Sequence, residues 1–177
     1  DRLMLNNDRI KGISDAVSEL IKLEDPIGRV DNGSVRPNGL RITKVRVPMG
    51  VIGMIYESRP NVTADAATLC LKTGNAVILR GGKEAYNSNK CICNIMRDAV
   101  EEAGFPKDII QFVDDTTREV TTELMKCNKY LDLLIPRGGA GLIRAVTQNA
   151  TVPVIETGTG NCHVYVHSTA DLDMARN

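Results

Sequence analysis

Two short stretches place cations beside paired glycines. Residues 77–84 read Val-Ile-Leu-Arg-Gly-Gly-Lys-Glu, and residues 136–141 read Pro-Arg-Gly-Gly-Ala-Gly. The candidate binding residues are therefore Arg80, Gly81, Gly82 and Lys83 in the first, and Arg137, Gly138, Gly139 and Gly141 in the second. Glycine lets backbone approach a ligand closely, and a helix N-terminus offers free N–H groups to an anion. Beside such backbone, arginine and lysine suit a phosphate. The bland alternative is an ordinary tight turn after a strand. Two standard phosphate signatures are absent: neither stretch is G-x-x-x-x-G-K-[ST], and neither is G-x-G-x-x-G. A third glycine-rich stretch, Thr-Gly-Thr-Gly-Asn-Cys, covers 157–162.

These stretches matter only if the fold brings them together. Ile10, Ile13, Val17 and Leu20 recur at helical spacing, so the chain opens with an amphipathic helix. Residues 25–39 are rich in turn formers and read as a linker or surface loop. Residues 40–56 alternate and carry β-branched side chains, which predicts two strands broken near Pro48–Gly50. Helices are expected over 61–74, 84–104, 116–127 and 140–150. Strands are expected over 76–79, 109–113, 131–135, 152–156 and 163–166. This alternation predicts an α/β fold, a Rossmann-like parallel sheet with helices on both faces, plus an exposed β-ribbon. In such sheets ligands sit at the carboxyl ends of the strands, where the two cationic glycine stretches fall.

Composition narrows the partners. The chain has 177 residues, 42% of them apolar and 25% charged, which suits one packed domain. Lys+Arg and Asp+Glu both number 22, so no nucleic-acid or anionic-membrane partner is indicated. Two Phe and no Trp argue against a base-stacking platform. No apolar run would cross a bilayer, and charges occupy the place of a signal-peptide core. Five cysteines at irregular spacing (Cys70, Cys91, Cys93, Cys127 and Cys162) point to reduced thiols and a cytoplasmic protein, with no metal expected. Cys91 and Cys93 are two apart in a predicted helix and so face different ways.

The runs "YESRPNVT" (56–63), "VILRGGKEA" (77–85), "LIPRGGAGLIR" (134–144) and "VPVIETGTGNCHVYV" (152–166) resemble γ-glutamyl phosphate reductases, a branch of the aldehyde dehydrogenase superfamily. The resemblance covers essentially the whole chain. It implies NADPH-dependent reduction of γ-glutamyl phosphate to glutamate 5-semialdehyde in proline biosynthesis. It implies NADP(H) as cofactor, γ-glutamyl phosphate or the semialdehyde with phosphate as small-molecule substrates, and a homo-oligomer when intact. Arg80 falls at the family's lysine that reaches the adenosine ribose. Lys83 falls where NAD-preferring relatives often carry glutamate. A cation there suits a 2′-phosphate. The helix after Pro136-Arg137-Gly138-Gly139 matches the segment near the cofactor pyrophosphate.

The resemblance also implies a catalytic cysteine thiolate, in a segment beyond "DLDMARN" at 171–177. Residues 1–177 are thus expected to be a partial cofactor-binding domain, inactive alone. The 40–56 strand pair would form an oligomerisation ribbon. Cys162 next to His163 is a poor substitute nucleophile, because neighbours on a strand point to opposite faces. Ser58 and Asn61 both remain candidates for the family's oxyanion-holding position. Arg59 could meet the substrate phosphate or carboxylate. Pro60 and Asn61 could equally end a strand and cap a helix. Glu156 matches a glutamate used for hydrolytic deacylation in aldehyde dehydrogenases, a role doubtful where phosphate takes the acyl group. The alternatives are a non-catalytic nucleotide-binding or oligomerisation fragment, or a general aldehyde dehydrogenase.

Overall fold

The computed structural model describes residues 3–156, 158 and 163–176. Helix α1 (Asn7–Lys22) begins where Asn6 accepts a hydrogen bond from the Arg9 N–H at 2.9 Å, satisfying one of the helix's orphan donors. Its apolar stripe lies against a later helix, but none of its residues is fully buried.

Strand β1 (Val30–Val35) pairs antiparallel with β2 (Arg41–Val45), and all their residues are exposed. Here the expectation of a loop over 25–39 fails. The turn formers close a hairpin instead: Gly39, at φ +85°, donates to the Arg36 carbonyl, and Arg36 N–H donates to Leu40. The register slips between Val30 and Asn32, so Asn and Gly sit inside an irregular strand. The 40–56 pair is likewise not one ribbon. β2 belongs to the hairpin, whereas β3 (Val51–Tyr56) lies in the centre of the main sheet. Pro48 and Gly50, the latter at φ +122°, separate them. β3 is apolar throughout, as a strand covered on both faces must be.

Then follow α2 (Asn61–Lys72), β4 (Ala76–Gly81), a 3₁₀ turn (Lys83–Ala85), α3 (Tyr86–Glu102), β5 (Ile110–Phe112), α4 (Arg118–Leu124), β6 (Leu133–Arg137), α5 (Ala140–Asn149) and α6 (Leu172–Arg176). The main sheet runs β5-β4-β3-β6 with every pair parallel. On one face Ile52, Val77, Leu79 and Ile110 pack under Val62, Ala66 and Cys70 of α2 and Cys93 of α3. On the other, Ile55 and Leu134 pack under Leu124 of α4 and Val146 of α5. Each large side chain buried here contributes about 1.5–3 kcal/mol. Buried Asn75 ties β3 and β4 together at their starts, its Oδ1 accepting from Met49 and Gly50 N–H at 2.6 and 2.9 Å.

Two expected strands are corrected. Within 152–156 only Val154 bridges, parallel to Leu134. Residues 163–166 alternate like a strand but have no ladder partner among the described residues.

Candidate functional site

The strand ends converge as the fold class requires. Tyr56, the last residue of β3, is in register with Gly81 of β4 on one side and Arg137 of β6 on the other. The 57–60 loop therefore runs between the two cationic glycine stretches. The chain leaves β3 through α2 on one face and leaves β6 through α5 on the opposite face. The crevice between β3 and β6 is thus a topological switch point, where open parallel sheets bind ligands.

That crevice holds a residue whose role the sequence did not suggest. Glu57 Oε2 accepts the Gly139 N–H at 2.9 Å, and Glu57 N–H donates to the Arg137 carbonyl at 3.1 Å. A carboxylate at the N-terminus of α5 is favoured by the helix dipole. The available signal was an acidic residue directly after a buried strand. Next to it Ser58 adopts φ +41°, the one non-glycine residue with positive φ among those described. Arg59 and Glu156 are exposed. Asn61 does not cap α2. It is the first helical residue, Pro60 takes the cap position without a side-chain bond, and Asn61 Nδ2 donates to Asp65 at 2.9 Å.

The glycines differ in what the fold asks of them. A Cβ on Gly81 would lie 2.2 Å from Asn89 Nδ2 and one on Gly138 2.5 Å from Glu57 Oε2, so both are close-approach positions. A Cβ on Gly141 would meet nothing within 4 Å, and one on Gly139 only Glu57 Oε2 at 3.7 Å. Internal packing therefore does not require glycine at 139 or 141. Glycine there keeps the side chains of residues 139 and 141 off the first turn of α5, where the Glu57 carboxylate takes the Gly139 N–H.

Arg80 turns away from open solvent. Its guanidinium donates to the carbonyls of Gly81 at 3.0 Å, Thr116 at 2.6 Å and Thr117 at 3.1 Å, tying β4 to the loop after β5. Burial lowers its pKa, opposed by Asp115 and Glu84. Asp115 in turn lies below the ordinary carboxylate range, because Thr117 donates hydrogen bonds to it and Arg80 is near. Lys83 and Arg137 are exposed and carry no ion pair among the described residues. The strand ends therefore bring together Glu57, Ser58, Arg59, Gly82, Lys83, Arg137, Gly138 and Gly139, with Gly141 one turn into α5.

Burial pushes Cys70 and Cys93 up to about 11, which keeps them protonated and inert. Cys91 is exposed and Cys93 buried, so the two do face different ways. Cys162 lies outside the described residues, as does most of the 157–162 glycine stretch. No helix is long and apolar enough to cross a membrane, and no metal-ligating cluster occurs, among the described residues.

Known proteins are similar in sequence and fold. A gamma-glutamyl phosphate reductase of Clostridium perfringens is 63% identical over 174 residues, which are 98% of this chain and 42% of that protein. One of Clostridium beijerinckii is 60% identical over 177 residues, covering 100% of this chain and 43% of that protein. The crystal structure of gamma-glutamyl phosphate reductase from Thermotoga maritima superposes with a TM-score of 0.90 at 51% identity, covering 99% of this chain and 42% of that one. The chain thus spans well under half the length of these relatives. A family model described as aldehyde dehydrogenase matches residues 9–177, and with the parallel sheet and its glycine-lined switch point this establishes that the chain belongs to the aldehyde dehydrogenase family.

Proposed function

We propose that residues 1–177 supply the NADP(H)-binding part of a γ-glutamyl phosphate reductase, which converts γ-glutamyl phosphate and NADPH to glutamate 5-semialdehyde, NADP and phosphate. The observation that carries this is the high identity to such reductases along a chain whose bare-glycine helix start sits at the switch point of a parallel sheet. The residues fit the cofactor. The N–H groups of Ala140 and Gly141 in the first turn of α5 would hold the pyrophosphate, beside the Gly139 N–H that Glu57 takes. Lys83 would meet the 2′-phosphate, and Arg80 would hold the neighbouring loop in place. When bound, the cofactor supplies the hydride. Ser58 or Asn61 would hold the developing oxyanion, and Arg59 would bind the anionic substrate. The nucleophilic cysteine would come from a segment outside these residues. Such an enzyme would work in the cytoplasm.

The exposed β1–β2 hairpin fits a homo-oligomer, since an isolated two-stranded ribbon is marginal in water and leaves its edges unpaired. A full-length protein that light scattering finds strictly monomeric would refute this. The central test titrates NADPH and NADH against the 177-residue chain. NADPH is expected to bind more tightly. Failure of both nucleotides to bind would overturn the assignment. For a full-length protein, oxidation of glutamate semialdehyde should require phosphate.

A further inference from the structure

A buried polar chain runs beneath the strand ends. Tyr56 closes β3 and is 1% exposed, Thr63 in the first turn of α2 is 0%, and Asn89 in the first turn of α3 is 1%. The Tyr56 hydroxyl and Thr63 Oγ1 are 2.7 Å apart, and Thr63 Oγ1 donates to Asn89 Oδ1 at 3.2 Å. The carbonyl oxygen of Asn89 can only accept, so it takes the single hydroxyl proton of Thr63. Tyr56 must then donate to Thr63, and the chain has one direction. Burial also lifts the Tyr56 phenol well above its ordinary range, so it keeps that proton.

The far end of the chain is unusual. Asn89 Nδ2 is buried without a partner among the described residues. It faces Gly81, where any Cβ would come within 2.2 Å of it, and the Tyr56 ring closes the same spot at 3.2 Å. Apolar groups of the same shape would fill this volume without desolvating three polar side chains. Unpartnered buried donors are rare in native interiors. The hydrogen bonds run from the base of the 57–60 loop to Asn89 at the start of α3, and Asn89 packs against Gly81 at the base of the Gly81–Lys83 turn, so the two segments that converge on the switch point share one buried contact.

We propose that Tyr56, Thr63 and Asn89 are positioning residues that hold the Gly81–Lys83 turn in register with the 57–60 loop and thereby set nucleotide affinity. The affinity part rests on the nucleotide site proposed above; the tether itself does not.

The test uses Thr63→Val, which keeps the volume and deletes both hydrogen bonds, with Thr63→Ser as the conservative rescue. Amide hydrogen exchange at Gly81 and Gly82 reads the tether, and NADPH titration reads its consequence. In Thr63→Val, exchange should quicken at Gly81 and Gly82 more than in β5 or β6. NADPH affinity should fall about tenfold, the size of one net hydrogen bond. Thr63→Ser should restore both. Unchanged exchange at Gly81 and Gly82 overturns the tether, whatever the nucleotide does. Quickened exchange with unchanged NADPH affinity overturns the link to binding. If the wild-type chain binds no nucleotide, the proposed function fails while the exchange arm still decides the tether. Should Thr63→Val not fold, Tyr56→Phe carries the same two readouts and the same overturning results.

Discussion

Gly81→Ala isolates what close approach is worth at the strand ends. Gly81 lies in a regular parallel ladder opposite Tyr56, so alanine meets no backbone strain there. The cost is packing alone. The new methyl would sit 2.2 Å from Asn89 Nδ2, 3.2 Å from Asn89 Cγ and 3.2 Å from Tyr56 Cζ. Asn89 cannot simply swing out, because it is 1% exposed and its Oδ1 is bonded to Thr63. Overpacking of this kind costs about 1–3 kcal/mol. For a chain of this size each kcal/mol moves the midpoint by about 2–4 °C, so a fall of about 2–12 °C is expected in thermal unfolding. A double-mutant cycle with Asn89→Ala separates this clash from general damage. Removing the amide makes room for the methyl, so the double variant should be more stable than the two single losses predict, by about 1 kcal/mol or more. An unchanged midpoint in Gly81→Ala would refute the clash. Additive losses would show that the methyl disturbs something other than Asn89.

Gly141→Ala should behave oppositely, since its methyl meets nothing within 4 Å and lies in a helix. Stability should rise by about 0.5–1 kcal/mol, while NADPH affinity falls if bare backbone at α5 holds the pyrophosphate; a gain in both would argue against that site. Lys83→Glu should lower the preference for NADPH over NADH about tenfold or more, consistent with loss of one charge-assisted contact, and equal loss of both nucleotides in titration would make the lysine structural. Cys70 and Cys93 are pushed from 9.0 up to about 11 in the fold, so their stabilising contribution is complete below pH 9 and is lost as pH rises from 9 towards 11. Urea midpoints should therefore fall across that window, less steeply in the Cys70→Ala/Cys93→Ala variant, and an equal slope in that variant would refute the assignment. Iodoacetamide should alkylate Cys91 before either buried thiol, as mass spectrometry of the native chain would reveal.

Local periodicity and composition were enough for α1, for the helix–strand alternation from β3 to α5, and for the arrival of Arg80–Lys83 and Arg137–Gly141 at strand ends. Those features follow from side-chain spacing and from glycine and proline, which act over a few residues. The hairpin strand β1 was not legible, because Asp31, Asn32, Gly33 and Ser34 read as turn formers. They extend only because β2 supplies a ladder across the turn at 36–40. The reverse occurred at 163–166, where alternation was present and no ladder partner was, among the described residues. Strand order was also beyond local pattern, and with it the position of the 57–60 loop between the two glycine stretches.

The sequence by itself determined which residues could meet a phosphate and, through long runs of identity with known reductases, which family the chain joins. Only the tertiary structure decided how those residues are used. Glu57 reaches Gly139 across 82 positions, and Arg80 reaches Thr116 across 36, so neither bond appears in any short window. The same holds for Gly81 and Gly141, which look alike in sequence. One is pressed against Asn89 and the other faces open space, because a glycine's role depends on what the fold brings within a few ångströms of its missing Cβ.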